Sequence, residues 1–362
     1  MTDSIPAHLY TDIFNYLVFI LVVVAVFESF SEKLFKPEAR AINSIIACIV
    51  LLIVVFYMGL RPVSPYFGDT VVYANSFYRL QMDIGQFRIL YEGEWLFNTI
   101  MLWFAKYSDV HIFFLFCAAI YVGALWWAFR RIFKEDFLIP FIVAIGMFTF
   151  WSYGVNGIRN GMAASIIILA LTFRKNIPVM VILFIAGLGI HKSMYLVLVA
   201  AVAGLFIKDS RIYLGIWGAC IIISLVAGNW VADMIVAYNL IGEDRFASYL
   251  SDSNSIPNGF RWDFLLYSAM PVAVGYYFIG GKKYTDKFYI WLFNIYLMTN
   301  AFWIIVIRAS FSNRFAQISW FLISLVLTYP FFMKKFWEDQ PVKIGCIVII
   351  SYLYTFYLVF IS

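Results

Sequence analysis

Apolar runs separated by short polar connections recur along the whole chain. They occupy residues 13–27, 42–60, 110–128, 137–150, 161–173, 177–190, 194–207, 213–230, 262–279, 288–307, 315–333 and 344–361. Runs of this kind predict helices that cross a bilayer. A transmembrane barrel would show short alternating segments instead. A shorter apolar stretch, 95–105, sits between the second and third runs. Two long polar stretches interrupt the pattern, 61–94 and 231–261. The expected fold is an all-α polytopic membrane protein with about twelve transmembrane helices, plus a re-entrant or interfacial segment. It forms one integral-membrane domain over residues 1–362, with 61–94 and 231–261 as outer loops.

Composition agrees with the pattern. The chain is 64% hydrophobic and 13% charged, against about a quarter charged in soluble domains. The formal charge of +5 reflects topology and gives no reason to expect nucleic acid. Cys48, Cys117, Cys220 and Cys346 each lie inside an apolar run without metal-ligand spacing, as packing residues do. Asp3 and Asp12, with no basic residue in the first twelve, argue against a cleavable signal peptide.

Basic residues orient the helices. With the N-terminus outside and 95–105 not crossing, sixteen Lys and Arg fall inside and ten outside. The inside ones are clustered, as at Arg130, Arg131 and Lys134; the outside ones are mostly single arginines. A crossing at 95–105 would invert every later cluster. The four runs from 137 to 207 hold only about 13–15 residues, about 20–22 Å of helix, against about 30 Å of hydrocarbon. Such short helices must be shielded by protein or lie in an indented membrane. Their outer ends, with Arg159, His191 and Lys192, would then form a recessed, outward-facing site.

The residues at those ends suggest chemistry. Arg159 can hold a phosphate or pyrophosphate bidentately, or simply snorkel. Asn156, Gly157, Asn160 and Gly161 around it allow close backbone approach. His191, followed by Lys192 and Ser193, fits a base, a phosphate ligand or a structural histidine equally. In the first outer loop, Asp69 is either a general base toward a hydroxyl or the cap of a helix beginning at Thr70. Glu92 and Glu94 follow, and a solvated loop explains both. Arg261, Arg308 and Arg314 add single outer arginines, a set that suits a polyanionic headgroup. No metal-binding spacing and no nucleotide loop are present in the sequence. Neither a metal nor another cofactor is expected.

With these residues assembled, the chain resembles the EpsG-like branch of Wzy-type polysaccharide polymerases. The resemblance rests on four pieces in order: Gly59-Leu60-Arg61 to Gly68-Asp69-Thr70 with Tyr73; Tyr91-Glu92; Gly157-Ile158-Arg159-Asn160-Gly161-Met162-Ala163; and Ile190-His191-Lys192-Ser193. In place of the glutamine associated with the family after the arginine, this chain has Asn160, which keeps an amide but shortens it. The resemblance implies a GT-C-like fold in a bacterial cytoplasmic membrane, with the active site facing the extracytoplasmic side. It implies joining of oligosaccharide repeat units of O-antigen, capsule or exopolysaccharide, with donor and acceptor carried on undecaprenyl pyrophosphate. Membrane lipid surrounds the chain, and the resemblance leaves open a chain-length regulator as a further partner. On this view Arg159 and Arg61 bind pyrophosphate, with Arg261, Arg308 and Arg314 as secondary candidates. Asp69 or His191 takes the proton of the attacking hydroxyl. Tyr73, Glu92, Asn160 and Lys192 belong to the substrate site. Two rival classes remain: another GT-C-like lipid-dependent transferase or ligase, and a flippase for lipid-linked oligosaccharide.

Overall fold

The computed structural model describes residues 5–31, 35–83, 85, 87–237, 259–308 and 313–361. All regular structure among them is helical. In chain order the α-helices are α1 (Tyr10–Ser29), α2 (Pro37–Gly59), α3 (Thr70–Met82), α4 (Trp95–Tyr107), α5 (Val110–Phe133), α6 (Leu138–Ile145), α7 (Thr149–Val155) and α8 (Ile158–Thr172). Then follow α9 (Ile177–Ile190), α10 (Tyr195–Phe206), α11 (Ser210–Ala237), α12 (Trp262–Tyr276), α13 (Lys287–Ile305), α14 (Asn313–Trp320), α15 (Ile323–Met333) and α16 (Gln340–Phe360).

Eight helical segments among the described residues are long and apolar enough to cross a membrane. The pair α6 and α7, bent by 73°, makes a ninth if it is one span. Ile158–Thr172, Ile177–Ile190 and Lys192–Phe206 are apolar but short. The twelve apolar runs thus correspond to eight full-length segments, one bent pair and three short helices. Helix α4 is 13 residues long and is not among the spans. Much of the second outer loop, 238–258, lies outside the described residues.

The chain divides into two compact units. One comprises Met1–Met194 and Phe331–Ser362, the other Tyr195–Pro330. In the first, α8 is the centre: every residue except Arg159 and Thr172 is buried. All eight residues of α6 are buried too. Protein therefore shields these short helices, as their length requires. The expected shielding does not extend to α9 and α10, which keep Ile182 and Phe206 64% and 80% exposed.

Small residues explain the tight packing around α8, since they let backbones approach in an apolar medium. A β-carbon on Gly161 would meet the Tyr153 carbonyl oxygen at 2.6 Å, so α7 folds back closely on α8. One on Gly187 would meet Ile167 Cδ1 at 2.7 Å, which brings α9 onto α8. The start of α5 follows ordinary capping chemistry: the Asp109 carboxylate accepts from the His111 and Ile112 amides at 2.8 and 3.1 Å.

In the second unit α13 is the buried centre. Asn300, on its interior, is paired across helices. The Trp217 indole donates to Asn300 Oδ1 at 2.8 Å, and Asn300 Nδ2 donates to Ser319 Oγ at 3.0 Å. An unpaired amide in an apolar interior would cost several kcal/mol.

Candidate functional site

Four segments of the first unit meet at one cluster. Glu94 holds the N-cap position of α4 but caps nothing with its side chain. One carboxylate oxygen accepts from Arg159 Nη1, and the other pairs with His191 Nδ1. Arg159 Nε donates to the Tyr73 hydroxyl at 3.3 Å. Its guanidinium carbon lies 5.5 Å from the Tyr73 ring centre and 5.7 Å from that of Phe97. Tyr73 comes from α3, Glu94 from the start of α4, Arg159 from the first turn of α8, and His191 from the C-cap of α9.

Helix dipoles bear on this arrangement. A cation in the first turn of α8 opposes the positive helix end, so Arg159 needs the carboxylate beside it. Glu94 sits favourably at the start of α4, and a protonated His191 would sit favourably at the end of α9. Burial pushes the Glu94 carboxyl up, but the hydrogen bonds and charges of His191 and Arg159 outweigh it. The group ends below the ordinary carboxylate value. Burial pushes the Tyr73 hydroxyl up, and Arg159 only partly reverses this, so Tyr73 keeps its proton at neutral pH.

The cluster is not sealed. The Arg159 side chain is 29% exposed, and that of His191 is 21% exposed. A guanidinium has five N–H donors, of which two serve Tyr73 and Glu94. The carboxylate at Nδ1 favours the tautomer with a proton there and a lone pair on Nε2. Asn160 Oδ1 and Ser193 Oγ, on residues flanking Arg159 and His191 in sequence, are buried without a hydrogen-bond partner among the described residues.

Other residues singled out in the sequence stand elsewhere. Arg61 is fully buried. Its Nη1 donates to the Met58 carbonyl at 2.7 Å, and its Nη2 donates to Thr70 Oγ1 at 2.8 Å and to the Val155 carbonyl at 3.3 Å. Phe114 covers it, with the guanidinium 4.7 Å from the ring centre. Burial pushes its pKa down, to about 9, which leaves it cationic at neutral pH. Placed so, Arg61 ties α2, the first loop and α7 together and offers no free face to a ligand. Asp69 is half-buried at the N-cap position of α3, without a capping bond from its side chain. Its amide donates to Asn156 Oδ1 at 2.8 Å, and its charge reaches Tyr73.

The carboxylate in the cluster is Glu94, not Glu92. Glu92 is exposed, and its backbone carbonyl accepts from Asn98 Nδ2 at 3.3 Å. Nothing in the composition of the loop separates the two. The useful signal was position, because Glu94 immediately precedes the apolar run beginning at Trp95 and so is fixed by a helix start. Lys192 is exposed beside the cluster.

The remaining arginines belong to the second unit. Arg261 forms a two-pronged pair with Asp263 at 2.9 and 2.6 Å and stacks 3.6 Å from the Phe264 ring centre. Arg308 Nη2 donates to the Leu225 carbonyl at 3.5 Å, while its Nε is buried without a hydrogen-bond partner among the described residues. Arg314 lies in the first turn of α14, and its side chain falls outside the described residues.

Neither a curated protein nor a solved structure matches the chain. A family model does match, over residues 44–362, from within α2 to the end of the chain. The match takes in Tyr73, Glu94, Arg159 and His191 together, and by it the chain belongs to the EpsG family.

Proposed function

We propose that this membrane protein is a polysaccharide polymerase of GT-C-like architecture. It joins oligosaccharide repeat units carried on undecaprenyl pyrophosphate at the outer face of a bacterial cytoplasmic membrane. Membership of the EpsG family supports the polymerase type. The observation that carries the chemistry is Glu94 held between Arg159 and His191.

The three side chains divide the work of glycosyl transfer. The acceptor hydroxyl oxygen bonds to the donor's anomeric carbon as the bond from that carbon to the pyrophosphate oxygen breaks. The electron pair leaves with the pyrophosphate, whose added charge is taken up by the free N–H groups of Arg159. The hydroxyl proton passes to Nε2 of His191. Glu94 orients the imidazole and stabilises the imidazolium that forms, as the carboxylate does in an acid–histidine pair. Tyr73 fixes the guanidinium. Cleavage of the pyrophosphate ester drives the step, so no nucleotide enters it. Asp69 is the alternative base, with its charge close enough to act on Tyr73.

The test uses purified protein in nanodiscs with a synthetic lipid-pyrophosphate repeat unit and no nucleotide. The expected product is a ladder of repeats, abolished by Arg159→Ala. A single addition would move the assignment to a transferase. Transbilayer movement without new glycosidic bonds would move it to a flippase.

A further inference from the structure

A cavity opens in the first unit, away from the charged cluster. It lies between α1, the bend joining α6 to α7, and α16, with a volume of about 360 Å³. That falls in the range of about 300–1,000 Å³ typical of small-molecule sites. The hydroxyl of Tyr57, near the end of α2, donates to the Tyr10 carbonyl at 2.9 Å. This sets the start of α1 level with the first outer loop, so the cavity opens on the same side as the cluster.

Its lining is chemically mixed. Asp12, Asn15 and Ser152 line it, and their side chains make no hydrogen bond among the described residues. Trp151 and Phe148 supply aromatic carbon. No Lys, Arg or His lines the cavity, so a carboxylate stands there without a cation. That disfavours phosphate and every phosphate-bearing headgroup. It suits a neutral, polyhydroxylated ligand, whose hydroxyls donate to Asp12 and whose ring faces pack on aromatic carbon. The broken helix is a second pointer. Non-helical backbone at membrane depth is tolerated where protein covers it or where it lines a cavity, and Gly146, Met147 and Phe148 of the bend do line this one.

We infer that this cavity binds neutral sugar residues of the glycan, separately from the site that holds the pyrophosphate. The inference rests on the polymerase reading above. Helix α7 connects the two places: Trp151 and Ser152 face the cavity, and Arg159 follows the end of α7 by four residues. The cavity would then grip the glycan while the reacting sugar lies at His191.

The test measures binding of the lipid-free repeat-unit oligosaccharide by saturation-transfer NMR on the full chain in nanodiscs. Undecaprenyl pyrophosphate alone serves as a second probe. Asp12→Ala removes an exposed side chain, and Asn15→Phe fills the cavity; thermal unfolding identifies which variants remain folded. Each is expected to weaken oligosaccharide binding about tenfold, as loss of a hydrogen bond to a charged group does, with pyrophosphate binding unchanged. Arg159→Ala is expected to do the reverse. If folded Asp12→Ala binds oligosaccharide as wild type does, or if wild type makes the ladder yet binds no oligosaccharide, the cavity inference is overturned and the polymerase stands. If wild type binds oligosaccharide but makes no ladder from lipid-linked units, the polymerase reading falls instead.

Discussion

Gly189 lies so close to Trp95 that a β-carbon on it would come within 2.8 Å of the indole. The same atom would lie 2.9 Å from Leu96 Cβ, which is fixed to the backbone of α4. This approach, one residue from the end of α9, brings His191 to Glu94 at the start of α4. Gly189→Ala must therefore push α9 off α4. We expect it to cost about 1–3 kcal/mol of stability, as overpacking does, and to lower polymer formation at least tenfold. Thermal unfolding and a timed ladder assay read the two effects.

Glu94→Gln keeps the shape of the cluster but removes the charge that orients and stabilises the imidazolium. Turnover should fall by about two to four orders of magnitude, in line with loss of the carboxylate from an acid–histidine pair. Glu92→Gln, on an exposed side chain, should leave turnover within a factor of two. Equal losses from both would contradict the assignment of the carboxylate.

The charge on Glu94 also gives the fold a pH dependence. Its pKa in the folded protein lies below the ordinary value of 4.5. Its contribution to stability is therefore complete above pH 4.5 and is lost as pH falls through the lowered value. The stability gap between wild type and Glu94→Gln should shrink as pH falls below 4.5. A gap that widened below pH 4.5 would reverse the sign of the interaction.

Arg61 and Arg159 should fail differently. Removing Arg61 leaves the buried Met58 carbonyl without its side-chain donor, at about 1–3 kcal/mol for an unsatisfied group, and leaves the Val155 carbonyl with the Thr70 hydroxyl alone. Arg61→Ala is expected to lower the melting temperature sharply, and Arg61→Lys to recover little of it. Arg159→Ala should leave melting less affected and abolish binding of undecaprenyl pyrophosphate. Calorimetry and a lipid-binding assay on the two variants separate these outcomes.

The helices were legible because a bilayer demands long apolar runs. The sequence also singled out Arg159 and His191, polar residues at the ends of helices too short to cross a bilayer alone. The choice between Glu92 and Glu94 was legible only in the position of Glu94 before Trp95, because it depends on which of two neighbouring loop residues α9 approaches. That approach is set by Gly189, nearly a hundred residues later. Arg61 was misleading for a related reason. An arginine after an apolar run looks the same in sequence whether it faces water or is enclosed by Phe114 and three acceptors.

Gly68 adopts a φ of +58°, and a β-carbon there would fall 2.5 Å from Asn156 Oδ1. The same oxygen holds the amide of Asp69, and the Val155 carbonyl accepts from both Arg61 and Thr70. Residues 61–70 and 155–156 are thus one unit of exchange, although 85 residues separate Thr70 from Val155. Anyone grafting the first long loop of another family member onto this chain must move both segments together. The described residues from Asp83 to Glu92 answer to α4 instead, through the Leu90 amide on Thr99 Oγ1 and the Glu92 carbonyl on Asn98 Nδ2.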